Sequence, residues 1–240
     1  MKHRLVCVVL FVCLPLTGCS SDGSGPGMDI LSSVLGGGSS LNQDTIIAGL
    51  KQALEVGSQK AVGQLSSPGG YLNNPDLRIG LPGKLDDVAK TLRSIGMGGQ
   101  LDVLEEKMNQ AAEQAANEAT PVFLDAIRQM TFADARKILK GNKTAATDYF
   151  RDKTRSNLVQ RYAPIVDDHM NQVGAVSKYN DVIGRYNALP LVPKTDFSPQ
   201  QYVTGKAIDG LFSVLADVEV DIRKNPAART TALLRQVFGK

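Results

Sequence analysis

The chain has 240 residues, of which 27 are lysine or arginine and 24 are aspartate or glutamate, so its formal net charge is +3. This near balance, with no basic cluster interleaved with aromatic residues, lacks the charge pattern that is typical of nucleic-acid-binding proteins. Cys7, Cys13 and Cys19 are the only cysteines, so the chain beyond them cannot contain a disulfide, a zinc–thiolate site or a cysteine nucleophile.

The N-terminus resembles a bacterial lipoprotein signal. Lys2 and Arg4 precede an apolar run from Leu5 to Leu14, which is too short to be a stable membrane span. Leu16-Thr17-Gly18-Cys19 then places small residues before a cysteine, as in a lipobox, where the cysteine is acylated and becomes the first mature residue. We therefore predict a signal peptide over residues 1–18 and lipidation of Cys19. The alternative is an ordinary secretion signal that happens to contain a cysteine.

Residues 19–43 are predicted to form the lipidated cysteine and a flexible tether. Two stretches in this range, Ser20–Gly27 and Gly36–Ser40, are rich in glycine and serine, a composition typical of flexible linkers. Ser20 follows the cysteine, where aspartate would usually signal retention at the inner membrane. We therefore expect a location on the periplasmic side of the envelope, at the inner leaflet of the outer membrane.

Helical periodicity dominates residues 44–240, because apolar residues recur there at three- and four-residue steps. The first predicted helix ends at Ser66–Gly70. Tyr71–Pro82 is rich in turn residues and is predicted to be an ordered loop or a short β-ribbon. A short helix over Pro82–Ile95 follows, with Ile95 among its inward-facing residues.

The next predicted helix is long, running from Leu101 to Met130, and Pro121 is expected to kink it or split it in two. Thr131–Asp134 resembles a capping box with aspartate in the glutamate position, and the helix it begins is expected to end at Gly141 as a C′ glycine. Asn142 opens a further helix.

Pro164 and Gly174 are expected to interrupt the helical segments that end at Leu189-Pro190. Leu191–Phe197 is predicted to be a connector. Ser198-Pro199 is a strong helix start, with serine as N-cap and proline at the first helical position. Asn225-Pro226 repeats that start for a last helix, which is expected to bury Leu233–Phe238.

These elements predict an all-α, single-domain bundle of about eight helices with one short non-helical ribbon or loop, over residues 44–240. The chain contains no tryptophan, and only 5% of its residues are aromatic. We therefore expect a core of aliphatic residues and alanine, with close contacts between helices.

Residue patterns that would support catalysis or metal binding are scarce. His169 follows Asp167-Asp168, but adjacent helical residues point in different directions, whereas helical metal sites use i, i+3 or i+4 spacing. Asp217, Glu219 and Asp221 are expected to lie on a solvated face with ion pairs. The sequence contains no Gly-x-Ser-x-Gly elbow and no phosphate loop. We predict no metal, no cofactor and no catalytic residue.

The first group of candidate binding residues is a polar stripe, Asn109, Glu113 and Asn117, beside alanines that allow a partner helix to approach. With Arg128 and Asp209, the stripe is predicted to line a polar seam between helices. A ligand site and a structural hydrogen-bond network are both open interpretations.

Two weaker groups of candidates also remain. The predicted loop contains Asn73 and Arg78, which could contact a ligand or merely satisfy local turns. Tyr149, Arg151 and Arg155 lie along one predicted helix near Lys143 and Lys153. That helix could bind an anion or a lipid head group, or it could present an ordinary solvated face.

Six segments of the chain carry a resemblance to a known family. They are Gly69–Tyr71, Met108–Glu113, Ala126–Gly141, Ala145–Phe150, Ile208–Phe212 and Arg229–Gly239. Together they resemble a family of bacterial envelope proteins known as domain of unknown function 4197. The resemblance implies an all-helical lipoprotein or secreted domain, and it brings no known activity or catalytic residues.

The sequence therefore predicts a membrane-anchored periplasmic lipoprotein that acts as a non-enzymatic binding module, with an envelope protein, lipid or small ligand as partner and no nucleic acid. The alternative is a carboxylate-dependent hydrolase or lyase acting on envelope polymers. A pocket lined by Glu113 and Asp209, holding a carboxylate of raised pKa, would favour that alternative. A purely structural factor is a third possibility.

Overall fold

The described part of the chain forms eight helices and no strand, in agreement with the all-α prediction. The computed structural model describes residues 43–83, 86–96, 98–172, 174–188 and 198–225. The helices are α1 (Gln43–Ser66), α2 (Asp86–Ser94), α3 (Gly98–Ala116), α4 (Ala119–Gln129), α5 (Phe132–Lys140), α6 (Ala145–Gln172), α7 (Ala175–Asn187) and α8 (Pro199–Lys224). The predicted signal, Cys19, the predicted tether up to residue 42, the 191–197 connector and the last predicted helix lie outside the described residues, and Gln43 begins α1.

The centre of the bundle is the pair α6 and α8, which pack along each other. Helix α3 packs against both, and α1 packs against α8 and α4. Three phenylalanines meet between these helices: the Phe123 ring lies 4.8 Å from that of Phe150 and 6.3 Å from that of Phe212, measured between centroids. Alanines of α3 are fully buried around them, which allows the close helix contacts that the composition predicts. Within the described ranges, no helix is both long and apolar enough to cross a membrane.

Local signals set several helix ends as predicted. The long helix is split after Ala116, and Pro121 lies in the first turn of α4, where a missing N–H breaks no helical hydrogen bond. At the start of α5, the Asp134 N–H donates to Thr131 Oγ1 (3.2 Å) and the Thr131 N–H donates to Asp134 Oδ2 (3.0 Å), which completes a capping box. Ser198 caps α8 in the expected way, with Pro199 as the first helical residue.

Three local predictions were wrong. Pro164 does not interrupt α6, because its side chain is exposed while the neighbouring Tyr162 and Val166 are buried and hold the helix on the core. Ile95 is 54% exposed, because α2 ends before it and Gly96 turns the chain at a φ of 82°. Gly141 ends α5, but it is not a left-handed C′ glycine, because its φ is −77°.

Crowding accounts for glycine at position 141 instead. A Cβ there would lie 2.5 Å from the Ala145 Cβ and 2.9 Å from the Lys137 carbonyl oxygen. The absence of a side chain therefore allows α5 and α6 to meet at a short turn.

Candidate functional site

A row of polar side chains on α3 holds the loop between α1 and α2. Glu105, Asn109 and Glu113, which we call the α3 polar row, are spaced four residues apart and so share one helical face. Glu113 Oε1 accepts hydrogen bonds from the backbone N–H groups of Tyr71 (3.2 Å) and Leu72 (3.3 Å). The carboxylate is 8% exposed, so these backbone donors replace the water that burial removes.

Asn109 pairs with the loop at a second point. Its Oδ1 accepts from the Ile79 N–H (2.9 Å), and its Nδ2 donates to the Ile79 carbonyl (2.9 Å) and to the Glu105 carbonyl (2.7 Å). Glu105 adds an ion pair with Arg78 at 3.0 Å. One helix face therefore fixes residues 67–83, the strap loop, at three successive turns.

Two glycines and an asparagine shape the strap loop. Gly69 has a φ of 82°, and a Cβ at Gly70 would lie 2.5 Å from the carbonyl oxygens of Gln64 and Leu65. Further along, the Asn74 carbonyl accepts from the N–H groups of Leu77 and Arg78. The loop is thus a series of turns and contains no ribbon.

Tyr71 is the buried anchor of the strap loop. Its hydroxyl donates to the Ala207 carbonyl of α8 at 2.7 Å, and its ring lies so close to Gly210 that a Cβ there would be 2.8 Å from Cε1. Burial raises the pKa of Tyr71 well above its usual value, with Tyr162 and Glu113 adding to the shift. The phenol is therefore a neutral hydrogen-bond donor.

The structure brings only two of the four predicted seam residues together. Asn109 and Glu113 meet at the strap loop, whereas Arg128 is exposed and pairs with Asp125 at 3.0 Å. Asp209 is also exposed and pairs with Arg155 at 2.9 Å. Both pairs lie on outward helix faces, so a polar seam of all four residues does not form.

The two predicted loop contacts have different surroundings. Asn73 supports the Gly69 turn: its N–H donates to the Gly69 carbonyl at 2.9 Å, and its side chain fills the space where a Gly69 Cβ would lie. The half-exposed Arg78 is held by Glu105.

Glu219 is a buried site that our sequence reasoning placed wrongly on the surface. It is 9% exposed, and it accepts from the N–H groups of Ala146 (3.0 Å) and Thr147 (2.8 Å) in the first turn of α6. Arg223 donates to the same carboxylate (2.8 Å) and to the Ile138 carbonyl (3.0 Å) in the last turn of α5.

This arrangement, the Glu219–Arg223 clasp, binds the free end groups of two helices at once. The sequence did contain a signal for it, because Glu219 lies four residues after Leu215 and three before Ile222, on the inward face of α8. Asp221, by contrast, lies at the surface and forms a long ion pair with Lys60 (3.7 Å).

The third group of candidates is also engaged within the domain. Arg151 lies over the Phe212 ring, 4.7 Å from its centroid, Arg155 is held by Asp209, and the Tyr149 hydroxyl donates to the Ala126 carbonyl. Among the described residues, no three histidine, cysteine, aspartate or glutamate side chains form a group that could hold a metal ion.

The cavity beside the Glu219–Arg223 clasp is too small for a ligand. It has a volume of about 30 Å³ and is lined by Leu54, Phe150, Leu215 and their neighbours. That volume accommodates a water molecule, whereas pockets for small molecules usually measure several hundred Å³. An open cleft of about 540 Å³ lies between α5 and α6, lined by Asp134, Lys137 and Tyr149 among others.

Because its bonds are to the backbone, Glu113 is expected to stabilise the fold. Glu113→Ala should lower the free energy of unfolding by about 1–3 kcal/mol, since two buried N–H groups lose their acceptor. Glu113→Gln, which keeps an oxygen, should lose less. Denaturant unfolding checks both, with the exposed Glu106→Ala on the same helix as a control expected within about 0.5 kcal/mol of wild type. Unchanged stability of Glu113→Ala would contradict the structural role.

The comparisons with known proteins identify a family but no characterised relative. A family model described as "Protein of unknown function (DUF4197)" matches residues 40–239. No curated protein and no solved structure matches the chain. The match covers every described residue of the helical domain.

Proposed function

The chain belongs to the DUF4197 family, and from this premise we propose that it is a periplasmic lipoprotein whose helical domain is a non-enzymatic binding module of the cell envelope. The anchor in this proposal is a lipid on Cys19, and the expected membrane is the outer one, at its inner leaflet. The proposed localisation rests on the Leu16–Cys19 motif, which follows a basic and then apolar N-terminus.

The hydrogen bonding of the buried carboxylates supports a non-enzymatic role. Glu113 accepts from two backbone N–H groups, and Glu219 accepts from two N–H groups, a threonine hydroxyl and Arg223. A general acid must instead carry a proton and present it to a substrate in a cleft. The surroundings of both residues suit helix and loop capping.

The hydrolase or lyase alternative gains no specific support at the predicted position. It would use Glu113 with Asp209 in one pocket, whereas Asp209 is half exposed and paired with Arg155. We therefore propose binding through the surface of the domain, where the open cleft between α5 and α6 provides a concave region.

Removal of the acylated cysteine tests the anchor. Cys19→Ala should abolish incorporation of radiolabelled palmitate and release the protein into the periplasmic fraction, because each buried methylene of an acyl chain contributes about 0.8 kcal/mol to membrane binding. Density-gradient separation of the wild-type protein should place it with the outer membrane.

Cys13→Ala is the matched control, since this cysteine lies within the predicted signal peptide and its loss should leave anchoring unchanged. Tight membrane binding of the Cys19→Ala protein would refute the lipid anchor. Recovery of the wild-type protein with the inner membrane would correct the expected membrane but not the anchor.

A further inference from the structure

Helix α5 turns one face to the core and presents an exposed face of distinct composition. Ala135 and Ile138 are buried, whereas Phe132, Arg136 and Lys140 lie on successive turns of the opposite side and are all exposed. The Phe132 side chain is 43% exposed. Helices that lie at a membrane interface likewise combine lysine and arginine with exposed Phe, Trp or Leu side chains.

Cations outnumber acidic residues on and near this helix, whose one acidic residue, Asp134, bonds to Thr131 in the capping box. Arg136, Lys137, Lys140 and Lys143 fall within eight residues, and no acidic residue occurs between Asp134 and Asp148. None of these four cations forms an ion pair within 4 Å of another described residue. Lys137 does lie near Asp134, where its charge helps to lower the pKa of that carboxyl. Other arginines of the domain are paired with acidic residues, among them Arg93, Arg155 and Arg161.

Helix stability does not account for all four cations. Lys137 and Lys140 lie in the last turn of α5, where a positive charge favours the helix dipole. Arg136 lies before that turn and Lys143 beyond the helix, so neither is explained in this way.

We propose that this surface, the α5 basic face (Phe132, Arg136, Lys137, Lys140 and Lys143), docks onto the anionic phospholipid surface of the membrane that holds the lipid anchor. Charge complementarity identifies anionic phospholipid as the binding partner, because clustered cations beside a bilayer bind acidic head groups. The exposed phenylalanine adds an apolar group that enters the head-group region.

Docking of this kind deepens the proposed function and rests on it. A lipid at Cys19 would confine the domain to the bilayer, and a Gly/Ser-rich tether of ~20 residues spans roughly 25 Å. Binding of the α5 basic face then sets the orientation of the domain relative to the bilayer. The Glu219–Arg223 clasp joins α5 and α6 to α8 through hydrogen bonds.

The absence of tryptophan from the chain makes a direct test possible. Phe132→Trp introduces the single tryptophan on the face, in the mature chain from residue 19 carrying Cys19→Ala, and excitation at the long-wavelength edge of tryptophan absorption avoids the tyrosines. Vesicles containing phosphatidylglycerol should shift its emission to shorter wavelength, and phosphatidylcholine vesicles should not. Raising the salt concentration should reverse the shift, because salt screens exposed charges. Ile95→Trp, at an exposed apolar position after α2, is the matched reporter and should not shift.

Charge removal supplies the second arm of the test. Each cation near an anionic surface contributes about a fivefold factor to binding, so Arg136→Gln with Lys140→Gln should weaken vesicle binding about 25-fold in sedimentation. Lys60→Gln with Lys90→Gln removes the same charge from exposed positions elsewhere and should have little effect. Melting curves check that all these variants remain folded.

Three results would overturn the proposal: equal binding to both kinds of vesicle, full binding by the Arg136/Lys140 variant, or an equal shift of the Ile95 reporter. If the true partner of the face is an acidic protein, the protein should bind neither kind of vesicle, which is one form of the first result. Because the vesicle protein carries no lipid, these failures would leave the Cys19 fractionation result intact, and failure of lipidation would leave the vesicle result intact.

Discussion

Glu219→Ala is expected to lower the free energy of unfolding by about 3–5 kcal/mol, the cost of breaking a buried ion pair by removing one partner. The substitution removes the acceptor of two N–H groups in the first turn of α6. It also leaves Arg223, whose side chain is only 16% exposed, without its carboxylate. Urea unfolding monitored by circular dichroism measures the loss.

Asp221→Ala is the control for this prediction, because it removes an aspartate from the same helix two residues later. Asp221 is 42% exposed and its ion pair with Lys60 is long, so the change should cost less than about 1 kcal/mol. The loss of stability caused by Glu219→Gln should lie between those caused by Glu219→Ala and Asp221→Ala. If Glu219→Ala and Asp221→Ala lost equal stability, the Glu219–Arg223 clasp would not hold the ends of α5 and α6 together.

Gly70→Ala is expected to lower the free energy of unfolding by about 3 kcal/mol, at the upper end of the usual cost of overpacking. The new methyl group would lie 2.5 Å from two backbone carbonyl oxygens, those of Gln64 and Leu65. Backbone atoms cannot rotate away as a flexible side chain can. The end of α1 or the strap loop must therefore shift, and with it the Tyr71 anchor.

A second glycine of the same region provides a control of opposite sign. Gly63 lies inside α1 on its exposed side, and nothing lies within 4 Å of a Cβ built there. Gly63→Ala should therefore stabilise the protein by about 0.5–1 kcal/mol through helix propensity. Comparison of the two melting temperatures checks the prediction, and a stabilising Gly70→Ala would show that the strap loop does not take the described turn.

Three of the segments that carry the family resemblance meet around Tyr71. Gly69–Tyr71 forms the turn, Met108–Glu113 supplies two members of the α3 polar row, and Ile208–Phe212 contains the glycine that makes room for the ring. These segments therefore serve the packing of the strap loop. The Ala126–Gly141 segment differs, because the exposed α5 side chains within it form no hydrogen bond or ion pair with the described core residues.

Local sequence determined where several helices begin or end. The Thr131–Asp134 capping box, Ser198-Pro199 and Pro121 act on backbone groups within one turn, so their effect is readable from adjacent residues. The same holds for the inward faces, since periodicity depends only on helix geometry. Val203, Leu211 and Val218 are buried on α8 as predicted.

Only the tertiary structure decided what the buried polar residues bind. Glu113 bonds to a loop 42 and 41 positions away, and Glu219 bonds to a helix start 73 and 72 positions away. Arg128 and Asp209, which were predicted to join Glu113, instead form ion pairs at the surface with Asp125 and Arg155. The free energy of a buried carboxylate depends on donors brought to it by the packing of other elements, and residue spacing along one helix contains no record of those donors.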